Sequence, residues 1–134
     1  MPAERLHVTG NTVIDSLLWM RNRLKDRGVA VPEVAARCKI PQAFAGGFLT
    51  PTTGQRWILV TGHRRESFGG GFENICKAIA GLVERYPDIG VLYPVHLNPN
   101  VQEPVNRLLG SNPRVALISP VGYEDFIWLM DRCT

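Results

Sequence analysis

Three short apolar runs, at residues 57–60, 89–95 and 115–119, constrain what this chain can fold into more than any other feature. None of them alternates apolar with polar residues, as a strand with one face in water would. Runs of this kind belong to strands covered on both faces. Each is followed by a helical period. Phe72, Ile75, Cys76, Ile79, Leu82, Val83 and Tyr86 share one stripe after the first run, and Val101, Val105, Leu108 and Leu109 share one after the second. Phe126, Ile127, Leu129 and Met130 lie in the period after the third. Pro87-Asp88, Gly110 and Pro120-Val121-Gly122 punctuate the series. The order β-α-β-α-β-α with short connections predicts a parallel sheet with right-handed crossovers, half of a doubly wound, Rossmann-like α/β fold. Asn100 is expected to cap the helix after the second strand, with Glu103 reaching back and Pro104 still in the first turn.

Upstream, residues 6–9 read as the end of a strand and residues 10–12 as a turn. Val13, Ile14, Leu17, Leu18, Arg21 and Leu24 then fall at helical spacing, and Gly28 is a C-terminal stop. Residues 29–54 lack a clear period. Pro32, Pro41, Gly46-Gly47, Pro51 and Gly54 interrupt them, as in a connector, with a short helix expected around 34–38. A connector of this length suggests a crossing between domains. Residues 1–28 would then close a first domain, 29–54 would cross, and 55–134 would form the first half of a second. The pattern stops where a fourth strand is due, so the chain is expected to be a truncated piece with exposed apolar surface.

The 134 residues suffice for one core, and the net charge of +3 is carried by scattered Lys and Arg instead of a clustered basic face. Nucleic acid is therefore not an expected partner. No apolar stretch approaches the roughly 20 residues of a membrane helix, so no membrane partner is expected. Cys38, Cys76 and Cys133 are far apart, with no Cys-x-x-Cys pair. They read as reduced thiols of a cytoplasmic protein, with no metal site.

The chemistry gathers after the first run, in Gly62-His63-Arg64-Arg65-Glu66 and the glycines 69–71. Ligands of open α/β sheets sit outside the carboxyl ends of the strands, where helix N-termini present free N–H groups to phosphate. His63 follows the first strand and His96 the second, so neighbouring strands would bring both to one rim. Arg64, Arg65 and Glu66 read either as a solvated turn with an internal ion pair or as a diphosphate clamp. No Gly-x-Gly-x-x-Gly, P-loop or Gly-x-Ser-x-Gly occurs at a strand-to-helix turn, so a nicotinamide or other resident cofactor is not expected. The residues alone give an anion-binding rim and leave its chemistry open.

Several blocks make the reading specific. They are Val8-Thr9-Gly10-Asn11-Thr12-Val13-Ile14-Asp15, Val60-Thr61-Gly62-His63-Arg64-Arg65-Glu66-Ser67-Phe68-Gly69 and Gly71-Phe72-Glu73-Asn74-Ile75-Cys76, followed by Tyr93-Pro94-Val95-His96-Leu97-Asn98-Pro99-Asn100-Val101, Glu103-Pro104-Val105-Asn106-Arg107 and Phe126-Ile127-Trp128-Leu129-Met130. In this order they resemble the non-hydrolysing bacterial UDP-N-acetylglucosamine 2-epimerases, over nearly the whole chain except about 30–54.

The resemblance implies two Rossmann-like domains with the site in the cleft between them, as in B-type glycosyltransferases. It implies interconversion of UDP-N-acetylglucosamine and UDP-N-acetylmannosamine without a redox cofactor. UDP leaves to give a 2-acetamidoglucal and returns after C2 has inverted. His63 would be the catalytic histidine on the diphosphate side. Arg64, Arg65 and Glu66 would bind substrate beside it, with Phe126 and the Val121 backbone on the uracil and ribose side. Arg64 and His96 match residues that in some members bind a second UDP-N-acetylglucosamine as an activator. A cytoplasmic enzyme of surface polysaccharide biosynthesis is implied, a homo-oligomer (dimer) at full length. The family's acidic proton-transfer residues and its nucleotide-gripping Asp-Ser-Gly-Gly and Glu-Glu block do not occur here. Val121-Gly122 replaces a commonly polar or acidic pair. The isolated chain is therefore expected to be inactive. A hydrolysing epimerase, a related glycosyltransferase and a non-catalytic truncated module are the alternatives.

Overall fold

The computed structural model describes residues 2–5, 7–50, 55–62 and 70–134. A 3-10 turn (Ala3–Arg5), α1 (Thr12–Asp26), α2 (Val31–Arg37) and α3 (Gln42–Phe44), which runs on into a π turn (Ala45–Leu49), precede the sheet. Then come β1 (Arg56–Leu59), α4 (Gly70–Arg85), β2 (Ile89–Pro94), α5 (Pro99–Leu109), β3 (Val115–Ile118) and α6 (Tyr123–Met130). The three strands pair in parallel in the order β1-β2-β3, so the α/β architecture expected from the apolar runs is the one found.

The register shows why those runs do not alternate. Ile58, Val91 and Val115 lie side by side and join the core beneath α4 and α5, with Cys76, Val83, Val101 and Leu109. One residue further along, Leu59, Leu92 and Ala116 lie side by side and join the opposite core, built from α1–α3 and α6. Both faces are apolar because both are covered.

Residues 29–49 supply much of that second cover. Val29, Val34, Cys38, Ile40, Phe44 and Leu49 are buried against Trp57, Leu92, Ile118 and Trp128. The indole Nε1 of Trp128 donates to the Val29 carbonyl at 3.0 Å, and the Arg132 guanidinium stacks 4.0 Å from the ring centre. Arg37 donates from Nε and a terminal nitrogen to Asp125 of α6 (3.1 and 2.6 Å) and also pairs with Glu33. These carboxylates push the Arg37 guanidinium pKa up from its ordinary value.

Gly90 is the closest point of this packing. A Cβ there would stand 2.8 Å from the Phe48 ring and 3.0 Å from Phe44, whose ring centres are 4.9 Å apart. Gly90→Ala is expected to destabilise the chain by about 1–3 kcal/mol, the usual range for overpacking. Urea unfolding should show a lower midpoint at an unchanged slope.

Several local expectations are corrected. Residues 7–9 form no strand, and Val8 is fully exposed, because no strand among the described residues supplies a ladder. Asn98, not Asn100, caps α5, its side chain accepting from the Asn100 N–H at 2.9 Å. Pro99 takes the first helical position, where its missing N–H costs nothing. Glu103 turns instead to Arg107 at 3.1 Å, and Pro104 lies inside the helix. Tyr86 falls beyond α4 and is exposed. Of the α1 stripe only Leu24 is buried, and Val13, Ile14 and Leu18 are exposed. The C-terminal end of α1 is as read, with Gly28 following it at φ +60, and at the other end Asn11, read as part of a turn, caps the helix.

Burial pushes the Cys38 thiol up to about 11 and the Tyr93 phenol up to about 12, and it raises Cys76 as well. In the unfolded chain thiols ionise near 9 and phenols near 10. The unfolded state therefore sheds these protons first, and stability must fall as pH rises from about 9 to 12. The slope is about 1.4 kcal/mol per pH unit for each group within its window. Urea midpoints measured across that range should decline. A flat profile would contradict the burial of these groups.

Candidate functional site

The carboxyl ends of the three strands open onto a cleft of about 240 Å³. Thr61 and Gly62 line it after β1, Pro94 and His96 at the end of β2, and Pro120 and Val121 after β3. Phe126 enters from α6. This is the position at which parallel α/β sheets bind ligands, because loops from successive strands converge there.

Each wall has a local cause. His96 is exposed, two residues past the end of β2 and two before the Asn98 cap. Its Nδ1 accepts the Asn98 N–H at 3.1 Å, so the neutral ring carries its proton on Nε2. Val121 and Phe126 are half-buried across the turn from β3 into α6. Gly122 caps α6 and has no side-chain oxygen to offer the first N–H groups of that helix. The two carboxylates of its first turn are engaged by cations elsewhere. Glu124 pairs with Arg27 at 3.4 Å and Asp125 with Arg37. This arrangement leaves the first turn of α6 suited to an anion.

Beneath the cleft, Tyr93 of β2 is wholly buried, and its hydroxyl donates to the Gly62 carbonyl at 2.9 Å. A Cβ at residue 62 would sit 3.2 Å from that hydroxyl oxygen, so a small residue suits the contact.

Of the residues singled out from sequence, the structure brings His96, Val121 and Phe126 into one cleft. His63, Arg64, Arg65 and Glu66 lie outside the described residues, and the described chain reaches the cleft at Gly62, the residue bonded to His63. Sequence reasoning overlooked Tyr93, whose only signal was a phenol in an otherwise apolar strand. Among the described residues no group of three or more His, Cys, Asp or Glu is placed to hold a metal. A larger cavity, about 450 Å³, lies between α2 and α3. Its described lining, which includes Val31, Ala35, Ile40 and Ala45, holds no titratable side chain. The strand-end cleft is therefore the candidate site.

The sequence model of one family, described as UDP-N-acetylglucosamine 2-epimerase, matches residues 1–134. The chain belongs to this family. The match takes in residues 30–54, which the motif blocks left uncovered. A UDP-N-acetylglucosamine 2-epimerase of Yersinia pestis is 50% identical over 132 residues, 98% of this chain and 32% of the relative. The crystal structure of a UDP-GlcNAc 2-epimerase from Neisseria meningitidis, bound to UDP-GlcNAc, is similar at a TM-score of 0.79 and 37% identity. The similarity covers 99% of this chain and 33% of that one. An S. aureus MnaA–UDP co-structure is similar at a TM-score of 0.72 and 31% identity, over 98% of this chain and 31% of that one. The epimerase-family chain thus spans about a third of the length of these relatives.

Proposed function

We propose that the protein carrying this chain interconverts UDP-N-acetylglucosamine and UDP-N-acetylmannosamine, with the strand-end cleft as part of the nucleotide-sugar site. The observation that carries this reading is the convergence of His96, Val121, Phe126 and Gly62 on one cleft, in a chain that matches the family from residue 1 to 134. Relatives of the same fold, solved with UDP-GlcNAc or with UDP, support the ligand class.

The chemistry has two halves. In the first, a base takes the C2 proton and the C1–O bond breaks, so that UDP leaves with the bonding pair and a 2-acetamidoglucal remains. In the second, UDP returns to C1 and a proton is delivered to the opposite face of C2. Neither half needs a redox cofactor. What the chain's own residues supply is stabilisation of the leaving diphosphate. His63 is the catalytic group on that side, with Arg64 and Arg65 as paired guanidinium donors and Glu66 beside them. Phe126 and the backbone near Val121 hold the uracil and ribose side. Arg64 and His96 are the residues of an activator site for a second substrate molecule. Proton transfer at C2 belongs to residues of the whole protein outside this chain.

In this reading residues 1–28 close a first domain, 29–54 cross to the second, and 55–134 open that second domain of a B-type glycosyltransferase-like architecture. The whole enzyme is a cytoplasmic dimer feeding surface polysaccharide synthesis. Among the described residues no helix is long and apolar enough to cross a membrane, which is compatible with that placement. The test is to incubate the full-length protein with UDP-N-acetylglucosamine alone and follow products by NMR. UDP-N-acetylmannosamine should accumulate to an equilibrium mixture. Free N-acetylmannosamine with stoichiometric UDP would instead indicate a hydrolysing enzyme and overturn the proposal.

A further inference from the structure

We propose that Tyr93 is a positioning residue for this site, acting through its hydroxyl on the Gly62 carbonyl. The role rests on the epimerase reading above.

Position 93 belongs to a strand covered on both faces and packs in the core with Cys76, Val91 and Val95. A phenylalanine would fill that space equally well. A buried hydroxyl is costly unless bonded, so core packing alone does not account for it. The bond it makes is placed where β1 runs out. The β1–β2 ladder continues as far as the Val60 N–H, which donates to the Leu92 carbonyl at 2.9 Å. Two residues on, the Tyr93 hydroxyl takes the Gly62 carbonyl at the same distance. Anchorage to β2 is thereby carried from the end of the ladder to the residue covalently joined to His63. Gly62 is matched to this bond, since a Cβ there would stand 3.2 Å from the hydroxyl oxygen. Tyr93 is wholly buried, and the pocket lining does not include it. It acts on the site through Gly62.

The phenol stays protonated, and so remains a donor, through the pH range in which such an enzyme would be assayed. A placement error of about 1 Å at a reacting group can cost on the order of 100-fold in rate. Tyr93→Phe in the full-length protein is therefore expected to lower kcat by roughly 10- to 100-fold, with KM for UDP-N-acetylglucosamine and the thermal midpoint little changed. Gly62→Ala, which crowds the same hydroxyl, should give a similar loss. The two changes combined should cost little more than either alone, because both break one contact.

Epimerase activity in the wild type, with the expected loss in both variants and a non-additive double variant, supports the role. An active wild type whose Tyr93→Phe variant keeps its kcat overturns the role and leaves the epimerase reading standing. Independent losses that multiply in the double variant also overturn it. A folded wild type with no epimerase activity overturns the reading and the role together. Should Tyr93→Phe fail to fold, Gly62→Ala decides alone, since unchanged kcat there removes the contact's importance.

Discussion

Replacing His63 with alanine in the full-length protein is expected to lower epimerase kcat by about 10²–10⁴-fold, the span typical of a placed proton-transfer or donor group. As UDP leaves, negative charge builds on the diphosphate oxygens. A donor fixed at the strand ends stabilises that charge more than it stabilises bound substrate, so its loss falls on kcat. The thermal midpoint, measured alongside, should change little, so that the loss is read as catalytic and not as unfolding. Arg64→Ala and Arg65→Ala should act differently. In the proposed reading they would hold the diphosphate in both ground and transition states, and their loss should appear mainly as a higher KM. Steady-state rates of UDP-N-acetylmannosamine formation separate the two patterns. An unchanged kcat in His63→Ala would remove His63 from the mechanism.

Trp128→Ala is expected to be the most destabilising single truncation, costing about 3–5 kcal/mol. The ring is 1% exposed and lies in the core shared by residues 29–49, the sheet and α6. Truncation opens a cavity there, strands the Val29 carbonyl that now accepts the indole N–H, and removes the surface over which Arg132 stacks. Such a loss is a large share of the 5–15 kcal/mol that holds a typical domain together. The variant should unfold at markedly lower urea. Trp128→Phe separates the causes, since it keeps most of the packing and loses the hydrogen bond. It should fall between wild type and Trp128→Ala. If both variants unfold with the wild type, residues 29–49 do not pack on the sheet as described.

How far the sequence could be read varies from element to element, for identifiable reasons. The sheet was legible because residues 57–60, 89–95 and 115–119 lack alternation, and the register later places both their faces against helices. The helices of residues 29–49 were less legible. α2 has 7 residues and α3 only 3, too few to display a period, and the break between them falls at Lys39, a non-glycine residue at φ 53. Asn98 and Asn100 are both good caps, and only Pro99 between them decides the choice. The exposed stripe of α1 was read as a helix face, but helical spacing does not say which members of a face find a partner. At the site, the family resemblance named His96, Val121 and Phe126, which reach one cleft with Gly62, whereas His63, Arg64 and Arg65 lie outside the described residues. The Tyr93–Gly62 bond required the parallel pairing of β1 and β2, which motif reading does not contain.

In the proposed reading the strand-end cleft receives the nucleotide sugar. A ¹H–¹⁵N spectrum of the 134-residue chain, titrated with UDP-N-acetylglucosamine and then with UDP, tests it most directly. Saturable shifts confined to Gly62 and the residues that follow it, His96, and the turn from Val121 to Phe126 are the expected result. A dispersed spectrum that ignores both ligands, or shifts centred on the α2–α3 cavity instead, would contradict it.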